Sequence, residues 1–185
     1  VTTQLLAPDG FGWVGLDPQT ASQFWQYTKF AYADFPSELA VEAFNWQTPE
    51  AYLEIFAGRT PTNVCPQVPH CSVRLAAMGW EDRPAAPDEL TQMEQATRSW
   101  MEAGATGICL GLDYQPGANA DLNELVTLCR LVQSYGGLYA AHIRYELLGR
   151  QAAWEETLEI CRQAEIPVHI SHERVDEVTQ LVLEQ

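Results

Sequence analysis

The sequence has almost no lysine: Lys29 is the only one in 185 residues. Ten basic residues stand against 25 acidic ones, for a formal net charge of −15. A surface this acidic is repelled by nucleic-acid phosphates and by anionic membranes, so neither is expected as a partner. No run approaches eighteen apolar residues, so no transmembrane helix is expected. The opening VTTQLLAPDG lacks the basic n-region of a signal peptide. It also lacks an initiator Met, which suggests that the chain does not begin where its gene does. The five cysteines are an odd number and none is spaced CxxC, which excludes zinc-ribbon and thioredoxin readings. Cys109, Cys129 and Cys161 lie in apolar runs, where a free thiol behaves as a small hydrophobe. A reducing compartment, hence the cytoplasm, is the expectation. No GxGxxG loop and no GxxxxGK loop followed by Ser or Thr is present, which weakens a nucleotide-binding open sheet.

What is there is a globular composition, 46% hydrophobic and 19% charged, of about one domain's length. From residue 61 short apolar runs alternate with helical patterns. The strand-like runs are 63–68, 106–112, 138–143 and 167–172. Helices are expected over 89–103, from Asp121 with Glu124 as a capping pair, around Trp154 to Cys161, and over 173–184. The runs begin near residues 63, 106, 137 and 167, in steps of 43, 31 and 30 that have the size of a βα unit, and helices between short buried strands require parallel pairing. An open doubly wound sheet and an eight-fold βα barrel both fit that pattern. A whole barrel needs about 250 residues, so a barrel reading makes this chain five or six units of one. Residues 1–12 read as a strand end and loop. Residues 13–60 are helical and aromatic-rich, with Phe24, Trp25, Tyr27, Phe30, Tyr32, Phe35, Phe44, Trp46, Tyr52 and Phe56 covering the barrel mouth or its outside, most of them as packing residues.

Active-site residues of βα barrels project from the C-terminal ends of strands. Asp9, His142 and His172 hold such positions. The two histidines are one βα unit apart and so point to the same face. Two imidazoles and a carboxylate match a hydrolytic divalent-metal site, most often zinc. A structural, hydrogen-bonded histidine is the competing reading. His169, three residues before His172, is expected to face the opposite side of the strand.

The run GATGICLGLDYQPGANADLNEL, then GGLYAAHIRYE, then IPVHISHER resembles the N-acyl-D-amino-acid deacylase (D-aminoacylase) branch of the amidohydrolase superfamily. That family shows GAxGxSxGLxYxPG, HxRxE and an ISH strand in this order. TNVCPQVPHCSVRLAAMG and VTTQLLAPDG resemble its third- and second-strand segments. The likeness is weakest between residues 11 and 44. It implies an α/β fold, a partial (β/α)8 barrel of about strands two to six, as one partial domain over residues 1–185.

The resemblance further implies His142 and His172 as metal ligands. It also implies Asp9 as a ligand where many members carry cysteine. Tyr114 falls on a tyrosine that holds the substrate carboxylate; a solvent-facing turn tyrosine is the other reading. Arg174 falls where a lysine holds that same group, and its forked guanidinium changes the geometry. Arg144 and Glu146 are implied as a supporting ion pair or outer shell. His70 is either structural or substrate-facing. Cys109 stands where the family has a small hydroxyl residue. The family's HxH motif of strand one and its catalytic Asp after strand eight have no counterpart in the chain, which implies an internal segment with no catalytic acid or base of its own. The implied activity is zinc-dependent hydrolysis, with one or two divalent ions, of the amide bond of a small N-acylated D-amino acid. A cyclic-amide hydrolase is disfavoured, because such enzymes often use a lysine after strand four and Lys29 is far from it. An inert binding or structural module is the alternative of another class.

Overall fold

The computed structural model describes residues 1–31 and 46–183. Tyr32, Phe35 and Phe44 of the aromatic segment lie outside the described residues. Six short strands are present among the described residues: β1 (Thr3–Leu5), β2 (Asn63–Cys65), β3 (Val68–Pro69), β4 (Gly107–Gly111), β5 (Leu138–His142) and β6 (Val168–Ile170). Every pairing is parallel. β1 pairs with β2, and β3, β4, β5 and β6 form a sheet in sequence order.

The run expected as one strand over 63–68 is split at Pro66. Proline has no amide proton to offer a ladder. The chain changes partner there: Cys65 O accepts from Leu6 N at 3.0 Å on the β1 side, and Pro66 O accepts from Thr106 N at 2.9 Å on the β4 side. β2 and β3 therefore join the two sheets into one arc of five chain segments.

The helices are α1 (Pro18–Thr28), α2 (Pro49–Leu53), α3 (His70–Met78), α4 (Pro87–Glu102), α5 (Leu122–Ser134), α6 (Tyr145–Leu148), α7 (Arg150–Ala164) and α8 (Glu177–Leu183). α3, α4, α5, α7 and α8 pack one against the next, outside the arc. α4 begins two residues before the expected start, because Pro87 suits the first helical turn and Glu89 accepts from Ala86 N at 2.7 Å. α5 is capped as expected on one side only: Asp121 accepts from Glu124 N at 2.8 Å. The Glu124 carboxylate turns inward instead of returning to the cap.

Side chains alternate along each strand. Ile108, Leu110, Tyr139, Ala141 and Ile143 face outward and form the main core with Met93, Trp100, Leu125, Leu128 and Ile160. Cys109 and Gly111 on β4, and Ala140 and His142 on β5, face the inside of the arc. A second core covers the C-terminal ends of the strands. There Phe11, Leu16, Phe24, Cys71 and Leu75 are buried, and Trp13, Tyr27, Trp80 and Tyr114 pack around them. The aromatic residues of α1 are thus largely packing residues. On the other side Tyr52 of α2 meets Trp46 and Trp100 edge-on.

Behind the sheet lies a buried charge cluster. His70, Arg74 and Glu124 are at most 1% exposed. His70 Nε2 lies 2.8 Å from Glu124 Oε1, and Arg74 donates to Glu124 Oε2 and to Arg83 O. Burial alone would raise the Glu124 pKa, but His70 and Arg74 hold it below the ordinary carboxylate value. Removing one member of a buried ion pair leaves its partner charge without compensation. Glu124→Ala is expected to lower stability by about 3–5 kcal/mol, read by chemical denaturation of the full chain; a loss under about 1 kcal/mol would show that the cluster contributes little.

Two glycines let the β1 loop close onto β4. Gly10 has φ +74°, and a β-carbon there would meet Cys109 O at 2.8 Å. A β-carbon on Gly111 would lie 2.0 Å from Asp9 O. Gly111→Ala must therefore push the Asp9 backbone away. Its expected effect is a loss of roughly 1–3 kcal/mol, the range for over-packed sites, measured in the same denaturation assay. Unchanged stability would mean that the β1 loop is not pressed onto β4.

Candidate metal centre

Three side chains meet at the C-terminal ends of β1, β5 and β6. Asp9 sits in the 3-10 turn Pro8–Gly10 that follows β1, His142 is the last residue of β5, and His172 lies two residues past β6. The register puts Gly111 opposite His142, and Ala141 opposite Ile170. Asp9 and His172 both have left-handed backbone, φ +53° and +44°. Such backbone is uncommon away from glycine, with Asp and His among the residues that adopt it more readily.

One ligand atom from each residue falls in a group whose members all lie within 4.8 Å of one another, and no other group of three or more is found among the described residues. His142 Nδ1 lies 2.9 Å from His172 Nε2 and 3.6 Å from Asp9 Oδ1. Two ligands bound tetrahedrally to one zinc ion at about 2.0–2.1 Å stand about 3.3 Å apart. These two separations bracket that value and all three donors lie within 4.8 Å of one another, so the donor set suits a divalent ion in its chemistry and its two shorter spacings. His142 is 3% exposed. Burial holds its pKa below the ordinary imidazole value, His172 adds to that, and Asp9 and Asp113 oppose it. The ring is therefore neutral near neutral pH and has a lone pair to offer a cation.

The other ring nitrogen, Nε2, lies 3.4 Å from Asp113 Oδ2. Sequence reasoning missed Asp113. Its only signal was its place two residues beyond the end of β4, next to Tyr114. Its carboxylate is 4% exposed and accepts from Glu146 N at 3.1 Å and Leu147 N at 3.2 Å.

The remaining sequence candidates divide. Tyr114 packs its ring on His142, with centroids 4.7 Å apart, and is flanked by Phe11 and Phe30. Burial, with Asp9, Tyr145 and Asp113 nearby, pushes its phenol up to about 12, so it stays a hydrogen-bond donor. Arg144 does not pair with Glu146. Its Nε lies 3.0 Å from Glu156 Oε2, and its other nitrogens donate to Ala118 O at 2.5 Å and Ala120 O at 3.0 Å. Glu146 occupies the first turn of the short helix α6 and is exposed, whereas Glu156 is brought in by α7. His70 belongs to the buried cluster with Glu124, not to the trio. The Arg174 side chain is exposed and makes no hydrogen bond among the described residues.

His169 corrects the expectation most directly. It pairs with Ala140, whose side chain shares a face with His142, so it faces inward. It lines a cavity of about 270 Å³ with Asp9, Gln67, Cys109 and His172. Counting three residues back from His172 fails because β6 ends at Ile170 and alternation does not continue past the strand. Cys109 lines the same cavity, and burial pushes its thiol up to about 12, so it stays protonated.

No family model matches the chain. A D-aminoacylase from Alcaligenes xylosoxydans xylosoxydans is 38% identical over 113 residues, covering 61% of this chain and 23% of that protein. The crystal structure of D-aminoacylase, described as defining a novel subset of amidohydrolases, superposes with a TM-score of 0.73 at 30% identity, covering 95% of this chain and 35% of that one. N-acyl-D-glutamate deacylase from Bordetella bronchiseptica, complexed with zinc and a phosphonate mimic of the tetrahedral intermediate, gives a TM-score of 0.76 at 28% identity, covering 100% of this chain and 38% of that one. This chain is a homologue of the D-aminoacylases, a subset of the amidohydrolases, over a stretch that spans about a quarter of the length of the curated relative it matches.

Proposed function

We propose that the protein carrying this chain hydrolyses the amide bond of N-acyl-D-amino acids, and that Asp9, His142 and His172 hold its zinc. The observation that carries this reading is the convergence of one carboxylate oxygen and two imidazole nitrogens at three strand ends, in a chain related to a zinc-complexed deacylase. A divalent ion in that site supplies Lewis acidity toward an acyl carbonyl and lowers the pKa of water. Overall, water adds across the C–N bond, and a carboxylate and a free amino acid leave.

The residues of this chain bind and orient. His142 and His172 present nitrogen donors from rigid strand ends. Asp9 adds a negative charge, which favours a cation over a neutral guest. Tyr114, protonated and packed against His142, donates to the substrate's α-carboxylate, and Arg174 supplies a cation to the same group. Both place the scissile amide against the trio, an effect on proximity rather than on bond-breaking. The five free cysteines support the cytoplasm as the compartment. Lys29 is exposed at the end of α1, so no lysine of the described residues serves a carbamate-bridged site of the cyclic-amide type.

In the full-length protein, His172→Ala is expected to abolish release of amino acid from N-acetyl-D-amino acids and to lower the bound zinc measured by elemental analysis. Retention of both would remove His172 from the site. Tyr114→Phe is expected to raise KM for the N-acyl amino acid by about tenfold, one lost charge-assisted hydrogen bond, with zinc content unchanged. An unchanged KM would assign Tyr114 to packing alone.

A further inference from the structure

We infer that Asp113 is a positioning residue for the metal centre: it accepts the Nε2 proton of His142 and so turns Nδ1 toward the cation. This deepens the proposed function and rests on His142 being a ligand. His142 Nδ1 faces His172 at 2.9 Å and Asp9 at 3.6 Å. Nε2 faces the opposite way, buried, and Asp113 Oδ2 at 3.4 Å is the acceptor in front of it. At 3.4 Å the contact is long, and Nε2 has no hydrogen-bond partner among the described residues. Such contacts tighten when the ligand that polarises the ring is in place. An imidazole that binds a metal through one nitrogen needs its proton on the other, and a carboxylate acceptor there fixes both tautomer and ring plane.

Asp113 is itself held for this task. Oδ1 accepts from Leu147 N and Oδ2 from Glu146 N, so the carboxylate is tied to the start of α6. Asp113 follows β4, whereas α6 follows β5, so the carboxylate bridges the two loops on either side of His142. Three donors thus surround one carboxylate. An amide side chain offers a single acceptor oxygen and cannot serve all three. Among the described residues Asp113 has no hydrogen bond to Asp9 or His172, so His142 is the member of the trio that its contacts reach.

The test is a double-mutant cycle on zinc affinity in the full-length protein, measured by competition with a chelating dye. Asp113→Asn and Asp113→Ser are each made alone and with His142→Ala, and folding is checked by circular dichroism. Asp113→Asn is expected to weaken zinc binding by roughly 10–100-fold. It is also expected to shift the visible bands of the cobalt-substituted protein. On the His142→Ala background neither Asp113 change weakens binding further, because the group it orients is gone. Additive losses, or unchanged affinity in the single variants, overturn the inference. So does unfolding of both single variants, which would make Asp113 a structural tether. If His142→Ala alone leaves zinc affinity intact, the metal assignment fails and the role of Asp113 falls with it; that outcome differs from failure of Asp113 alone, in which His142→Ala weakens zinc binding and the Asp113 variants do not.

Discussion

The parallel ladder running from β4 through β5 to β6 sets the rim on which the candidate centre is built. Because Gly111 is opposite His142 and Ala140 is opposite His169, the inward faces of three neighbouring strands are in step. Parallel strands with outside helices bring their C-terminal ends to one rim. His142 then needs no loop to reach the rim, since it is the end of the strand itself. Asp9 and His172 arrive from turns, and their positions depend on what those turns rest against. For Asp9 the support is Gly111, which has no side chain to keep its carbonyl away. For the β6 end it is α7: Glu173, next to His172, accepts from Arg150 Nε at 2.8 Å and from Trp154 Nε1 at 3.2 Å.

A second framework lies beneath the rim and involves charge. His70 and Arg74 on α3 and Glu124 on α5 are buried together. An apolar trio of similar volume would pack there without the desolvation penalty. The charges fix which helix faces which, since Glu124 satisfies both α3 donors only in one register. The arrangement also explains why the pair Asp121 and Glu124 does not act as a reciprocal cap. Glu124 has a single carboxylate, and it is taken up by His70 and Arg74.

Much of this fold was legible in the sequence because it is local and periodic. The thirty-residue spacing and the apolar runs mark the βα units, and β4, β5, α5 and α7 lie where the pattern places them. His142 and His172 were legible as a pair because one unit separates them. What was not legible depends on where alternation stops or on long-range partners. Strand parity placed His169 on the wrong face, since it was extended beyond Ile170 into a turn with positive φ at His172. The partner of Arg144 was sought two residues away in Glu146, but it comes from α7 as Glu156. Asp113 carried no periodic signal at all; its surroundings come from α6 and from the end of β5. The break at Pro66 was visible as a proline, yet the change of strand partner it permits was not.

The left-handed backbone of Asp9 and His172 bears on how such a site is maintained. Each such residue costs of order 1–3 kcal/mol and persists only where the surroundings over-determine it. Here each of the two stands beside a glycine or a salt bridge from a different unit of the fold: Gly10 and Gly111 at Asp9, Glu173 with Arg150 at His172. His142 is the exception, with ordinary strand backbone, and its ring is instead constrained from the side by Tyr114, Tyr145 and Asp113. The trio therefore combines one donor fixed by the sheet with two fixed by tertiary contacts. A cation binding all three has to draw together residues from the first, fifth and sixth strands of this arc, and so ties one edge of the described fold to the other. Binding and folding are coupled in such a site: the free energy of ligation is available to stabilise the two strained turns, and the rigidity of the sheet determines how much of it they need.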